Sequence, residues 1–258
     1  MKFEIVILGC GSSSGVPAIG NNWGNCNPNN PKNKRLRSSI LIKYNDLNIL
    51  VDATPDLRQQ LLNANVTNLD AVLITHCHAD HINGMDDFRY LNILMKKDIN
   101  LYATKENIEE IKKRFSYVFD KLSPKSNGYY YKPCLIPNTI NGLFKIQDLE
   151  IKSFQQDHGF IESTGFRIKN FAYSSDVLNM SESLLKNLNN LDLWVVDCLR
   201  FEPHSSHAHF DKVMSWVDKI KPKKTVLTHM NFEIDYDHIN SLLPKNCQAA
   251  YDGLKLVI

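Results

Sequence analysis

The sequence predicts an α/β fold in which two sheets pack together and helices cover their outer faces. Short runs rich in Ile, Val and Leu, bounded by polar residues or glycine, recur along the chain and indicate strands. Segments with apolar residues three and four positions apart lie between them and indicate helices. Two sheets with outer helices bury the apolar faces of such elements. We expect one domain over residues 1–258, because no linker, low-complexity segment or repeat interrupts the pattern.

The predicted elements alternate along the chain after an initial cluster of strands. The strand signals lie at residues 3–8, 39–43, 48–52, 71–75, 149–154, 165–169, 193–197 and 225–228. The helix signals lie at residues 56–64, 105–115, 181–188, 210–220 and 237–243. Thr104 precedes the second of these helices as its predicted N-cap. The polar turn at residues 44–46, between two strand signals, predicts a β-hairpin.

The composition argues against several classes of partner. A net charge of +2, with 22% charged residues, gives no global reason to expect binding to long nucleic acid or to a membrane surface. Six scattered cysteines without a Cys-x-x-Cys pair indicate reduced thiols. The N-terminal apolar run is short and contains Glu4, unlike a signal peptide, and no stretch approaches the roughly 20 apolar residues of a membrane span. We therefore expect a cytoplasmic protein without a membrane partner and leave a homodimer open as its oligomeric state.

A dense group of potential metal ligands lies in the middle of the chain. Residues 76–81 read His-Cys-His-Ala-Asp-His and directly follow the strand signal at 71–75. Three imidazoles and one carboxylate suit zinc, manganese or iron. Their spacings do not fit one helix face, where neighbours lie three or four residues apart. We therefore expect these side chains on a loop, from which they can point toward two adjacent ions.

Three later strand signals also end near a potential ligand. His158, Asp176 and His229 each follow closely on an apolar run. A single histidine or aspartate at such a place is more often a capping residue. Together with His76, His78, Asp80 and His81, however, they provide seven ligands, which suits two metal ions that share a carboxylate. Asp176 is the predicted bridge, because a carboxylate can bind one ion through each of its oxygens.

These motifs resemble the metallo-β-lactamase superfamily over nearly the whole chain. The resemblance implies an αββα sandwich, two divalent metal ions, zinc or manganese with iron as an alternative, and three groups of ligands: His76, His78 and His158 for the first metal, Asp80, His81 and His229 for the second, and Asp176 as the bridge. Asp52 resembles the aspartate that orients a ligand imidazole, and it is equally compatible with a charge at the start of the following helix. True β-lactamases usually have a cysteine ligand, so this chain resembles the phosphoesterase-type members.

The flanking motifs resemble one branch of that superfamily. Residues 9–17 read Gly-Cys-Gly-Ser-Ser-Ser-Gly-Val-Pro and, with the motifs at 52–58, 84–89 and 250–253, resemble the cyclic-phosphate phosphodiesterases of the carbon–phosphorus lyase pathway. The resemblance to tRNase Z is more distant, because only 17 residues separate His158 from Asp176 and leave no room for a tRNA-clamping arm. Backbone N–H groups near Ser12 and Ser13 are candidates for substrate binding, with an ordinary tight turn as the alternative.

The segment formed by residues 20–37 combines turn residues with positive charge, and we expect it to form an active-site loop over the metals that binds an anionic substrate. Lys32, Lys34, Arg35 and Arg37 lie within six residues, after a stretch rich in Asn, Gly and Pro. Arg35 and Arg37 are the predicted substrate-binding residues, because guanidinium groups suit bidentate contacts with phosphate. A solvated basic face is the alternative interpretation.

These residues together predict a metal-dependent phosphodiesterase that acts on a small anionic phosphodiester or cyclic phosphate. Two close metal ions generate a hydroxide that attacks the phosphate, and the leaving oxygen then needs a proton or a positive partner. By resemblance His207 contacts the scissile phosphate, and His207 and Asp80 are the predicted catalytic residues. The roles of His204 and His209 stay open. The alternatives are a thioester or lactone hydrolase of the glyoxalase II-like type and a non-catalytic binding member of the same fold.

Overall fold

Two sheets form the centre of the fold in the computed structural model, which describes residues 3–119 and 134–258 and contains seven strands per sheet within that part of the chain. The strands are β1 (Phe3–Gly9), β2 (Ser39–Tyr44), β3 (Leu47–Val51), β4 (Ala71–Leu73), β5 (Ile99–Ala103), β6 (Leu135–Thr139), β7 (Leu143–Ile146), β8 (Leu149–Asp157), β9 (Glu162–Ile168), β10 (Phe171–Ser174), β11 (Leu193–Asp197), β12 (Lys224–Thr228), β13 (Cys247–Ala249) and β14 (Lys255–Val257). The α-helices are α1 (Leu57–Asn63), α2 (Ala79–Ile82), α3 (Phe88–Met95), α4 (Lys105–Arg114), α5 (Glu182–Asn187), α6 (Phe210–Ile220) and α7 (Tyr236–Leu242). Short 3₁₀ helices lie at Pro31–Asn33, Met85–Asp87 and Ser116–Phe119.

Each sheet has an antiparallel half and a parallel half. The first sheet has the order β14-β1-β2-β3-β4-β5-β6, and its strands run parallel from β3 to β6. The second has the order β13-β12-β11-β10-β9-β8-β7, and its strands run parallel from β10 to β13. Parallel strands end at the same edge of a sheet, so the loops that follow them lie close together.

Alternation along the strands divides the apolar side chains between two layers. In β1, Ile5 and Ile7 pack between the two sheets, whereas Val6 and Leu8 pack against the helices that cover the first sheet. Trp216 of α6 belongs to the inter-sheet cluster, which extends to the helices on the second sheet. The predicted αββα sandwich is therefore confirmed.

The elements that the sequence signals missed lie mostly at the edges of the sheets. β14 and β6 are the edge strands of the first sheet and β13 and β7 those of the second, and none of the four was predicted. They are short and partly exposed, so their hydrophobic pattern is weak. β5 and α3 were also missed. The predicted hairpin at residues 44–46 is confirmed, because Tyr44 pairs with Leu47 in an antiparallel register.

No α-helix in the described ranges, 3–119 and 134–258, has the length and hydropathy that crossing a bilayer requires.

The 20–37 segment runs along the residues that follow β12. Its Asn25 amide donates to the carbonyl of Phe232 at 2.9 Å, and Arg35 pairs with Val16 through both backbone groups. The Arg35 side chain is 2% exposed, and its guanidinium donates to the carbonyls of Asn231 at 3.0 Å and Ile234 at 2.7 Å. The prediction that Arg35 binds substrate is therefore wrong, because its guanidinium is directed into the protein.

The other positive side chains of this segment have separate environments. Arg37 forms an ion pair with Asp56 at 3.0 Å and also donates to the Ser13 carbonyl, while its side chain stays 30% exposed. The Lys32 ammonium lies 4.5 Å from the centre of the Tyr236 ring. The segment is thus fixed to the body of the protein by its basic residues, and a substrate contact by Arg37 stays a prediction.

Replacing Arg35 with methionine should destabilise the fold strongly. Loss of the guanidinium removes its hydrogen bonds to the carbonyls of Asn231 and Ile234 and the packing of a buried side chain, so we expect Arg35→Met to lower the free energy of unfolding by about 2–4 kcal/mol. Arg37→Met, which removes a partly exposed ion pair, is the matched control and should cost about 1 kcal/mol or less. Urea denaturation followed by circular dichroism measures both. Equal losses for the two variants would contradict the structural role assigned to Arg35.

Candidate metal centre

The loops at one edge of the two sheets carry all seven predicted ligands. The segment after β4 supplies four of them, and His158, Asp176 and His229 follow β8, β10 and β12. The expectation that residues 76–81 form only a loop is wrong in part. Asp80 and His81 lie in the single-turn helix α2, with His78 as its N-cap residue. Side chains that are close in sequence here belong to different ligand groups, His76 and His78 to one and Asp80 and His81 to another.

The donor atoms of these residues converge on three overlapping groups. Atoms within 4.8 Å of one another come from His76, His78, His158 and Asp176 in the first group, from Asp80, His81 and His229 in the second, and from Asp176, His207 and His229 in the third. The first two groups coincide with the two ligand sets that the sequence predicted. Asp176 lies between them.

The two oxygens of Asp176 face different ligand groups. Oδ2 lies 3.7 Å from Nε2 of both His76 and His158. Oδ1 lies 3.2 Å from His81 Nε2 and 3.4 Å from His229 Nε2. A carboxylate in this position can give one oxygen to each of two cations, as a bridging ligand does.

Asp52 fixes the orientation of the His81 imidazole through the ring nitrogen that faces away from the centre. Its Oδ2 lies 2.8 Å from His81 Nδ1, and its two oxygens also accept hydrogen bonds from the Thr75 amide at 2.8 Å and the Thr75 hydroxyl at 2.9 Å. With Nδ1 of His81 directed to Asp52, Nε2 is the nitrogen left to face the centre. His158 is oriented in the same way. Its Nδ1 lies 2.6 Å from the Ser206 carbonyl, so its Nε2 faces the centre.

Three of these residues adopt a left-handed backbone conformation. The φ angles of Asp52, Asp176 and His229 are +66°, +50° and +58°. Few residues other than glycine take this conformation, although Asp and His are among the side chains that tolerate it best. Each of the three follows directly or closely on the end of a strand, so the turn aims the side chain along the sheet edge toward the centre. Backbone strain of this kind concentrates at functional sites.

The electrostatics of the centre demand positive charge. Burial alone would favour a neutral Asp176, but His229, His81 and His76 hold the pKa of its carboxyl well below the usual range. Burial opposes a charged His229 as well, yet Asp176, Asp80 and Asp197 raise the pKa of its imidazole to about 9. Divalent cations bind neutral imidazoles, so they would take over the charge that these protons carry.

Buried nitrogen atoms without a partner also fit a metal site. His81 Nε2 and His229 Nε2 are buried, and although Asp176 Oδ1 lies 3.2 Å and 3.4 Å from them, neither forms a hydrogen bond of acceptable geometry with a described residue. Buried polar atoms are rarely left in this state unless a water or an ion completes them. Both atoms lie in the second ligand group, which supports a cation between Asp80, His81 and His229.

His207 adds an imidazole beside the ligand groups. Its Nδ1 lies 2.8 Å from Asp197 Oδ2, and its Nε2 lies 3.9 Å from Asp176 Oδ2. Asp197 is fully buried and also accepts a hydrogen bond from the Val177 amide at 3.0 Å. Asp197 was not among the residues predicted from the sequence. The signal was present, because Asp197 ends an apolar strand as Asp52 does.

The remaining candidates lie near the centre without entering a ligand group. Ser12 is buried, and its amide donates to the carbonyl of Met230, the residue after His229. Ser13 is exposed, and its carbonyl accepts from Arg37. His204 Nδ1 lies 3.2 Å from the Ser206 amide, and its ring centre lies 5.3 Å from that of His207. The substrate contacts predicted for Ser12 and Ser13 stay predictions.

Comparison with known proteins identifies the family. A model described as "Beta-lactamase superfamily domain" matches residues 47–230. A crystal structure described as a new diphosphatase from the PhnP family covers 100% of this chain and 98% of its own, with a TM-score of 0.91 and 31% identity. Human tRNase Z, short form, covers 98% of each chain with a TM-score of 0.71 and 15% identity. The prediction that tRNase Z is a more distant relative than the phosphodiesterase branch is confirmed.

One curated relative has a name from a different chemistry. The octanoyltransferase of Porphyromonas gingivalis (strain ATCC BAA-308 / W83) is 31% identical over 257 residues, which are 98% of this chain but 51% of that protein. The chain therefore spans about half the length of this relative. The family match covers the segment that carries all seven predicted ligands. The chain belongs to the β-lactamase superfamily, has the metallo-β-lactamase fold, and carries residues that could hold divalent metal ions.

Proposed function

We propose that this protein is a dinuclear metal-dependent phosphodiesterase acting on a small phosphate diester or cyclic phosphate. The observation that carries the proposal is Asp176, whose two oxygens face two separate groups of ligands. When bound, two divalent ions would activate water and neutralise the attacking and leaving oxygens of an in-line displacement at phosphorus. Zinc or manganese suits this set of histidines and carboxylates, with iron as the alternative.

The residues of the chain have separate tasks in this reaction. His76, His78 and His158 would hold one ion and Asp80, His81 and His229 the other. The Asp52 carboxylate keeps His81 Nε2 directed to the centre through the contact at Nδ1. Asp197 does the same for His207, so that Nε2 of His207 is available to the phosphate. A proton on that nitrogen stabilises the leaving oxygen.

Phosphorus chemistry is favoured over the alternatives. The PhnP-family neighbour is described as a diphosphatase, and cleavage of a diphosphate, like that of a phosphodiester, displaces an oxygen leaving group at phosphorus. Acyl transfer through a cysteine has little support here. Cys77, which lies between two predicted ligands, has its pKa raised by burial to about 12, so its nucleophilic thiolate is scarce at neutral pH. A non-catalytic role is disfavoured because all seven ligand side chains converge.

The metal content provides the first test. We expect two ions per chain by elemental analysis of protein purified without chelators, and Asp176→Ala should lose most of the second ion. Without the shared carboxylate, two dications repel each other with less compensation. Asp218→Asn, an exposed substitution on α6, is the control and should retain both ions. No more than one ion in the metal-replete wild type would refute a dinuclear centre.

The role of His207 provides the second test. His207→Ala should lower kcat on a 2′,3′-cyclic nucleotide, whose leaving alkoxide needs a proton, by ~10²- to 10⁴-fold while both ions stay bound. Asp197→Asn should lower kcat by about 10- to 100-fold, because it affects only the orientation of that imidazole. His209→Ala is the matched control and should change activity by no more than a few-fold. Loss of an ion from His207→Ala would instead make His207 a metal ligand, a role that its group with Asp176 and His229 also permits.

A substrate panel separates the proposed reaction from its alternatives. The panel contains a phosphodiester, a phosphomonoester, a thioester and a lactone, each tested with zinc-loaded and manganese-loaded protein. The proposal predicts that the phosphodiester has the highest kcat/KM. A higher kcat/KM for the thioester or the lactone would favour a hydrolase of the glyoxalase II-like type over the phosphodiesterase.

A further inference from the structure

Helix α3 is apolar on both of its faces. Six of its eight residues are apolar. Phe88 and Leu91 are buried in the cluster between the first sheet and its helices. Tyr90, Ile93 and Leu94 are instead 71%, 40% and 51% exposed. Because these three residues lie three and four positions apart, their side chains form one apolar stripe on the outer face of the helix.

The neighbouring helix α4 shows the pattern that a surface helix normally has. It packs Ile108 and Ile111 into the same cluster as α3, and its eight other residues are all polar or charged. Amphipathic helices of this kind cover a core with one face and meet water with the other, whereas a helix that is apolar all round is normally covered on both sides. The outer stripe of α3 therefore indicates a surface that another molecule covers.

The two ends of α3 carry opposite charges. Asp86 and Asp87 precede its first turn, and Lys96 and Lys97 directly follow its last residue. Arg89, the charged residue within the helix, is exposed near the acidic end. A second α3 in antiparallel orientation would place its acidic end beside the basic end of the first, and its basic end beside the acidic one. A parallel orientation would bring like charges together at both ends.

Charges at both ends are available to a partner molecule. Asp86 and Lys96 are exposed. The Asp86 carboxylate accepts a hydrogen bond from the Tyr117 hydroxyl at 2.8 Å, and this neutral donor does not cancel its charge. Lys97 differs, because it forms an ion pair with Asp70 at 3.2 Å. Asp86 and Lys96 are therefore the residues with which the orientation of two packed helices can be tested.

We propose that the outer face of α3 binds the same face of a second copy of this chain, with the two helices antiparallel. A two-fold axis near the centre of the helix makes each apolar stripe cover the other. A specific interface buries roughly 800 Å² per partner, so surfaces beside α3 must contribute. α1 is such a surface. Its Arg58 amide donates to Asp87 at 3.2 Å, which places it beside α3, and its Leu62 is 55% exposed. The inference is independent of the proposed reaction.

Sedimentation equilibrium of the full chain tests the apolar stripe. We expect a reversible dimer within the range of about 1–500 µM, and Leu94→Glu should raise the dimer Kd at least ~100-fold, because two-fold symmetry buries the new charge twice. Leu242→Glu on α7 is the matched control, because Leu242 is also 51% exposed, and it should leave the Kd unchanged. Circular dichroism verifies that both variants fold. A wild type that stays monomeric, or equal Kd values for the two variants, would overturn the proposal.

Exchange of the end charges tests the orientation. Asp86→Lys and Lys96→Glu should each raise the dimer Kd about 10-fold, because each brings like charges together across an antiparallel interface. With both substitutions on the same chain, every new charge faces its new opposite, so the Kd should return to within a few-fold of the wild type. A parallel interface would keep like charges opposed in this double variant. Failure of the double variant to recover would therefore contradict antiparallel packing.

A membrane surface is the other molecule that an apolar stripe followed by lysines would fit. Cosedimentation with vesicles of phosphatidylcholine and phosphatidylglycerol distinguishes it from a second copy. We expect the wild type to bind these vesicles no more than Leu94→Glu does. Vesicle binding that Leu94→Glu abolishes, by a protein that is monomeric in solution, would assign the face to a membrane and refute the dimer.

Discussion

The ionised carboxylate of Asp176 is the interaction on which the rest of the centre depends. Burying a charge is costly unless it is paired, and Asp176 is 1% exposed. Five imidazoles lie within 4.0 Å of its oxygens, those of His76, His81, His158, His207 and His229. Neutral imidazoles alone do not balance a carboxylate, so either protons or cations must enter. The raised pKa of His229 is a consequence of this requirement, and so are the Nε2 atoms of His81 and His229, which form no hydrogen bond with a described residue.

The sandwich fold places this charge at a point where many chain segments meet. β3, β4, β10, β11 and β12 run parallel to a neighbour in their sheets, and the residues after them reach the centre from several directions. Asp52, which follows β3 of the first sheet, orients the imidazole of His81. Asp197, at the end of β11 in the second sheet, orients the imidazole of His207. Left-handed turns at Asp52, Asp176 and His229 aim these side chains. The strained turns persist because well-packed strands precede them.

The sequence predicted the elements with strong signals. The interior strands are buried on both faces, so their sequences are apolar runs and most of them were predicted. The positions of His158, Asp176 and His229 at strand ends followed from the same pattern. Edge strands such as β6 and β7 were missed because partial exposure weakens that pattern. The helical turn at α2 was missed because four residues are too few for a periodicity.

Residue type alone could not assign the roles of some polar side chains. Arg35 has the chemistry of a phosphate ligand, but its guanidinium is directed to the carbonyls of Asn231 and Ile234, and only the tertiary structure determines that direction. Asp197 is the reverse case, because its place in the sequence did not suggest the contact that the fold gives it. A single aspartate at a strand end is common, and its contact with His207 depends on the fold of the intervening loop.

The distance between the two cations tests the central claim about Asp176 most directly. Protein freed of metal and loaded with two equivalents of Mn²⁺ should give the electron paramagnetic resonance spectrum of an exchange-coupled pair, because a shared carboxylate holds two ions ~3.5–4 Å apart. The same experiment on Asp176→Asn controls for the bridge, since the amide has one oxygen to offer. A coupled spectrum in the wild type that disappears in this variant is the predicted result. A spectrum of isolated Mn²⁺ ions in the wild type at full loading would contradict a carboxylate-bridged pair.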